Sequence, residues 1–264
     1  FSSYINYNLN DVELKIKDGN ERLYLHTICQ YINEKDLVNW IDSFSKNDIF
    51  LDIGANIGLF SMYAAKKKIR TISVEGHYAN LADLVYNIHL NQINNQITIL
   101  PILLGEKNDK TEFYLRDLTP STAKSEINYD KNTFKTVNNF KEAIKFNTAV
   151  FSLDELIEKK IIPKATKVKI DVDGAEYLIL KGFLNNLKYV DEIMIEMYEK
   201  PIDIWKCYDD YEKYDKIYTS NINENYFEGS SKKNLYFNEI MEVLKKHNFI
   251  EKYSYGNNII FKRI

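Results

Sequence analysis

Between residues 49 and 103 the hydrophobic period switches repeatedly between two and about 3.6, and this alternation limits the fold more than any other feature. Short apolar runs predict strands at 49–53, 70–75 and 97–103, and helical spacing predicts helices at 58–67 and 78–90 between them. Strands joined through helices run parallel, and a parallel sheet needs cover on both faces. The rhythm returns as a strand at 167–171, a helix at 174–186 and a strand at 190–196. The expected architecture is therefore α/β, with a mostly parallel sheet and helices on both faces.

The flanks read differently. Val12, Leu14 and Ile16 alternate with polar residues, and Asp18-Gly19-Asn20 would turn the chain toward Leu23 and Leu25, a predicted hairpin. Leu37, Val38, Trp40 and Ile41 mark an amphipathic helix at 34–45. Residues 105–150 break the rhythm, with one short strand at 111–116 and then a polar, loop-like stretch. In "FSLDELIE", Ser152 and Glu155 predict a capping box. Residues 198–234 predict a mobile loop, whose Tyr198 and Trp205 are candidates for an aromatic stacking lid. A helix at 236–247 and an antiparallel hairpin, 249–254 and 258–263 turning at Gly256-Asn257, close the chain. We divide it into an N-terminal appendage, 1–45, and one domain, 46–264.

Composition excludes some partners. The 264 residues carry a net charge of −3, so no basic field recruits nucleic acid. The Asn/Asp-Pro-Pro-aromatic segment of base-methylating enzymes is missing, no apolar run reaches the roughly 18 residues of a membrane span, and no signal-peptide pattern opens the sequence. Cys29 and Cys207 form no metal or redox spacing, which suits a reduced, cytoplasmic protein. The sequence opens on Phe1 rather than Met, so the true start of the chain is expected to lie outside it.

The turn in "FLDIGANIGLFSMYAAKK" is the natural ligand seat. A dinucleotide fingerprint needs Gly where Asn56 stands, and a phosphate-binding loop needs a Gly-Lys-Ser/Thr ending that is missing here. Instead Asp52 precedes the turn; its carboxylate would repel pyrophosphate and attract a cationic head. Glu75 ends the next strand, where a carboxylate accepts ribose hydroxyls. A cationic head, a ribose and no pyrophosphate describe S-adenosylmethionine. A strand, turn and helix with two glycines also forms for packing alone, and Glu75 is what weighs against that.

In "VKIDVDGAE", Lys169, Asp171 and Asp173 alternate with apolar residues, so this strand end faces a crevice rather than a covered core. Asp173 and Glu176 spell a capping box for the following helix. Asp171 has no such role, although Lys169 can hold it as a structural ion pair. Glu196 ends the next strand, and two carboxylates at neighbouring strand tips can hold a hydroxyl, share a proton or bind a divalent metal; no metal is assigned. The catalytic candidates are Asp171, Glu196 and Lys169. His89 is expected to face solvent.

These segments resemble the FkbM family of S-adenosylmethionine-dependent methyltransferases. The resemblance rests on "FLDIGANIG", Glu75 and above all "VKIDVDGAEYLILKG", and spans about residues 49–196. Glu75-Gly76-His77 departs from the family's Glu-Pro, and Asp173 stands where the family usually has Glu. The resemblance implies a Rossmann-like class I methyltransferase fold, with Asp52 near the methionine ammonium, Gly54, Ala55 and Asn56 lining the tail and Glu75 on the ribose. Gly58 completes the turn, Gly76 and His77 lie on the cofactor side, and Asp171 borders both cofactor and acceptor. It also implies O-methylation of a sugar hydroxyl on a bacterial surface glycan or its precursor. The alternatives are a non-sugar small-molecule acceptor, a non-catalytic cofactor-binding module and a nucleotide-dependent oxidoreductase.

Overall fold

A computed structural model describes residues 3–18, 34–115, 118, 120, 126–127, 144–172, 174–197, 236–255 and 258–264. Strands β1 (Tyr4–Leu9) and β2 (Val12–Lys17) pair as an antiparallel hairpin, followed by helix α1 (Lys35–Asp42). Then come β3 (Ile49–Ile53), α2 (Leu59–Lys66), β4 (Arg70–Val74), α3 (Tyr78–Leu90) and β5 (Ile97–Leu100). A small second sheet follows from β6 (Leu103–Leu104), β7 (Asp109–Leu115), β8 (Glu126–Ile127) and β9 (Ile144–Phe151). The chain continues through α4 (Leu153–Glu158), β10 (Lys167–Ile170), α5 (Glu176–Lys181), β11 (Glu192–Glu196), α6 (Phe237–Lys246), β12 (Phe249–Tyr255) and β13 (Asn258–Arg263).

The main sheet has seven strands in the order β12-β13-β11-β10-β3-β4-β5, and only β13 runs against its neighbours. The chain starts at β3, moves outward through β4 and β5, and returns to the other side of β3 with β10. That reversal opens a crevice at the carboxyl ends of β3 and β10, where ligands of open α/β sheets bind. Leu51, Ile53, Val168, Ile170, Ile193 and Ile195 bury one face against α4, α5 and α6. Phe50, Met194 and Ile260 bury the other against α1, α2, α3 and the β1–β2 hairpin, with Trp40, Tyr63 and Leu84 among the covering side chains.

Several expectations need correcting. The N-terminal hairpin joins β1 to β2 through Asn10, whose φ of +46° suits a tight turn, instead of joining 12–16 to 23–25. Gly19, Asn20, Leu23 and Leu25 lie outside the described residues. The strand expected at 97–103 stops at Leu100 because Pro101 has no N–H for the ladder, and Leu103–Leu104 pair with β9 instead. β9 lies within the stretch expected to be a polar loop, although Ile144, Phe146, Thr148 and Val150 alternate and three of them face Leu115, Phe113 and Thr111 of β7. Only half of the Ser152 capping box forms: Ser152 Oγ accepts the Glu155 N–H at 3.3 Å, but the Ser152 N–H goes to Asn108 Oδ1 and the Glu155 carboxylate to Asn108 and Lys159. The helix expected at 174–186 begins at Glu176 and ends at Lys181, since Glu176 Oε1 turns back to accept the N–H groups of Val172 and Gly174. Asp173, Cys29, Cys207, the 198–234 loop with Tyr198 and Trp205, and the Gly256-Asn257 turn lie outside the described residues.

Candidate active site at the switch point

The floor of the crevice is a buried polar chain. Ser73 Oγ donates to Ser61 Oγ at 2.7 Å, and Ser61 Oγ donates to Asp52 Oδ2 at 2.5 Å. Asp52 Oδ1 lies 3.4 Å from Lys169 Nζ, which lies 3.0 Å from Asp171 Oδ2 and donates to the Gly54 carbonyl at 3.3 Å. Asp52 and Lys169 are each 1% exposed, whereas the Asp171 side chain is 22% exposed and reaches the crevice. Burial opposes the Lys169 charge, yet Asp171, Asp52 and Glu34 outweigh it and hold the ammonium above the ordinary lysine range. Asp52 is thus held between the Ser61 hydroxyl and the Lys169 ammonium inside the protein. It is matched from below by Lys169.

The glycine turn sits directly above. The N–H groups of Gly54 and Ala55 both donate to the Val74 carbonyl at 3.0 Å, tying the turn to β4. Gly54 has φ +78°, and a Cβ there would stand 1.8 Å from the Asp171 carbonyl oxygen, so only glycine lets the loops after β3 and β10 touch. Gly58 has φ +94° and abuts Leu84. Asn56 adopts φ +52°, and its Oδ1 is buried without a hydrogen-bond partner among the described residues.

Glu75 lies across the turn. Its carboxylate accepts the Asn56 N–H at 2.7 Å and the His77 N–H at 2.6 Å. Burial pushes the carboxyl up to about 7, further than these two N–H groups and Lys169 pull it down. Gly76 packs on Leu103, where a Cβ would meet the leucine methyl at 2.1 Å. His77 Nδ1 accepts the N–H groups of Ala79 and Asn80, so its ring caps α3. His89 is exposed, as expected.

The register orders one face of the sheet into two rows. The inner row, Asp52, Lys169, Met194, Ile260 and Tyr253, crosses five adjacent strands. The outer row begins at Asp171, one residue beyond the Ile170–Ile195 pair and thus beside Glu196, and continues through Asn258 and Tyr255. Asp171, Glu196 and Lys169 are thereby gathered on neighbouring strands. Among the described residues no group of three His, Cys, Asp or Glu side chains is placed to hold a metal ion. Glu34, whose charge acts on Lys169, and the Ser61–Ser73 pair escaped sequence reading. The serines left a signal, polar residues at buried positions of a strand and a helix; Glu34 left none, because its approach depends on how α1 packs.

The strand order, the glycine turn at the switch point and the acid closing β4 define the class I methyltransferase fold. Residues 52–251 match the methyltransferase FkbM domain, and the chain belongs to that family. It is 23% identical over 178 residues to the hexuronic acid methyltransferase AglP of Haloferax volcanii, a match covering 66% of each chain. The FkbM methyltransferase of Methylobacillus flagellatus KT is a similar solved structure, with TM-score 0.40 and 19% identity, covering 59% of this chain and 34% of that one. The magnesium protoporphyrin IX methyltransferase ChlM of Synechocystis PCC 6803, solved with SAH bound, is similar at TM-score 0.48 and 10% identity, covering 94% of this chain and 90% of that one. Among the described residues no helix is long and apolar enough to cross a membrane.

Proposed function

We propose that this chain is an S-adenosylmethionine-dependent O-methyltransferase acting on a sugar hydroxyl of a glycan or its precursor. The observation that carries the reading is Asp171, a partly exposed carboxylate at the switch point, 3.0 Å from a buried ammonium and in touch with the glycine turn through its own carbonyl. The sugar acceptor is supported by the Haloferax relative, a hexuronic acid methyltransferase.

The residues present fit the cofactor. Glu75 retains lone pairs for two ribose hydroxyls beside its two backbone bonds, and the orphaned Asn56 Oδ1 is an acceptor for an ammonium or hydroxyl donor. The turn from Gly54 through Gly58 would line the methionine tail, with Gly76 and the His77 backbone shaping the adenosine side. Asp52 would act from beneath, by fixing Lys169 and the turn. When bound, the cofactor supplies an electrophilic methyl group on a sulfonium. Asp171 would accept the proton of the attacking hydroxyl as general base, worth roughly 10²–10⁴ in rate. Lys169 would hold that carboxylate in one rotamer, and Glu196 would orient the acceptor from the next strand. Taken as a domain division, 1–45 would be an addition to a methyltransferase unit, 46–264.

The test is thermal denaturation with S-adenosylmethionine, S-adenosylhomocysteine and NAD. Both adenosyl ligands should raise the melting temperature, by stabilising the fold about 2.7 kcal/mol at 100-fold saturation, and NAD should not. No shift with either adenosyl ligand, or a larger shift with NAD, overturns the assignment.

A further inference from the structure

Behind the glycine turn, helix α3 carries polar residues where a covered face should be apolar. Asp83, Asn87 and Asn91 recur every four residues, and all three are buried. What meets them is the edge of β2 that faces away from β1. Asn91 Oδ1 accepts the Lys15 N–H at 2.9 Å, and Asn91 Nδ2 donates to the Lys15 carbonyl at 2.6 Å. One turn earlier, Asn87 Oδ1 accepts the Lys17 N–H at 2.8 Å, and Asp83 holds the Lys17 ammonium at 2.6 Å. The spacings match: four helical residues advance about 6 Å and two strand residues about 6.6 Å, so successive asparagines meet alternate strand residues.

Asn87 also reaches the cofactor side. Its Nδ2 donates to the Ile57 carbonyl at 3.0 Å. Ile57 lies between two left-handed residues of the glycine turn, Asn56 at φ +52° and Gly58 at φ +94°. The ladder of α2 begins one residue later, where the Gly58 carbonyl accepts the Met62 N–H at 2.8 Å, so the Ile57 carbonyl needs a donor from elsewhere. The near end of the turn is fixed by β4, through the Val74 carbonyl and the Glu75 carboxylate. Its far end is fixed by Asn87. The hairpin in turn orients Asn87, because a backbone N–H on one side requires the amide oxygen and a carbonyl on the other requires the nitrogen.

We propose that Asn87 is a positioning residue for the cofactor turn, and that the β1–β2 hairpin, by orienting Asn87, sets part of the affinity for S-adenosylmethionine. The assignment rests on the cofactor reading above and extends its support to β2. A left-handed non-glycine residue such as Asn56 persists only while its surroundings over-determine it. Without the Asn87 donor, the Ile57 peptide turns toward another donor and carries Asn56 and Gly58 off the shape that lines the methionine tail. The hairpin is then a working part of the cofactor site, although it contributes no group to the cofactor itself.

The experiment is calorimetric titration of the full chain with S-adenosylhomocysteine, well below the melting temperature of every variant. Asn87→Leu removes both amide bonds and Asn87→Asp removes the donor alone; each should raise Kd at least about fivefold. Asn91→Leu removes the Lys15 bonds and keeps the Lys17 one, so it should lower the melting temperature comparably yet leave Kd within about twofold of wild type. Lys17→Pro deletes the N–H that orients Asn87 and should raise Kd at least about threefold over Lys17→Met, which deletes only the ammonium. Should one Asn87 variant not fold, the other decides. A rise below about fivefold in a folded Asn87 variant, or an equal rise with Asn91→Leu, would overturn the positioning role. Equal Kd values for the two Lys17 variants would overturn the hairpin's part in it. Wild type that binds neither adenosyl ligand would refute the cofactor reading itself, and this inference with it.

Discussion

Lys169→Met isolates the buried charge network. Lys169 is 1% exposed, and its ammonium stands 3.4 Å from Asp52 and 3.0 Å from Asp171. Methionine keeps most of the volume and removes the charge, so the loss is electrostatic and not a cavity. Asp52, also 1% exposed, would then keep only the Ser61 hydroxyl as partner. Removing one partner of a buried pair costs about 3–5 kcal/mol, because the other charge stays buried without compensation. For a chain of this size that lowers the melting temperature by roughly 6–20 °C. Asp52→Asn in the same background removes the stranded charge and should recover at least about half of the loss. Asp171→Asn alone should destabilise less, since water reaches its 22% exposed side chain. The assay is urea denaturation of wild type, Lys169→Met, Asp52→Asn and the double variant as a double-mutant cycle, with Asp171→Asn alongside and the slope checked for two-state behaviour. A Lys169→Met loss below about 1 kcal/mol, or no rescue by Asp52→Asn, would refute the reasoning.

The remaining predictions concern the crevice. Asp171→Asn at saturating cofactor should cut turnover roughly 10²–10⁴-fold with cofactor affinity largely kept; turnover within about threefold of wild type passes the base role to Glu196. Glu75 titrates near 7 in the fold against 4.5 when unfolded, so the folded chain binds more protons between those values. Its contribution is therefore present below about pH 4.5 and lost as pH rises through about 7, amounting to about 3 kcal/mol. Glu75→Gln should flatten that part of the pH–stability curve, and parallel curves for variant and wild type would contradict it. Gly54→Ala places a Cβ 1.8 Å from the Asp171 carbonyl oxygen at φ +78°, so it should cost at least about 1–3 kcal/mol and separate the two loops; an unchanged melting temperature and cofactor affinity would count against that contact.

Much of the fold was legible because local periodicity reports burial. The strand Ile49–Ile53 and the helix Tyr78–Leu90 fall where their patterns placed them, since each segment's own apolar residues decide which face it covers. Glu75 and Asp171 were legible for another reason: each directly follows the last residue of a parallel strand, where the crevice opens, so its sequence position reveals its place in space. Pairing carries no such local signal. The β1–β2 hairpin and the β7–β9 ladder depend on partners the sequence does not name, and the turn at Asn10 competed with a better-looking one at Asp18-Gly19-Asn20. Asp52 shows the difference most clearly. From the sequence it is a carboxylate beside a ligand turn. Only the register that sets Lys169 directly opposite shows that it is paired inside the protein with an ammonium that also meets Asp171.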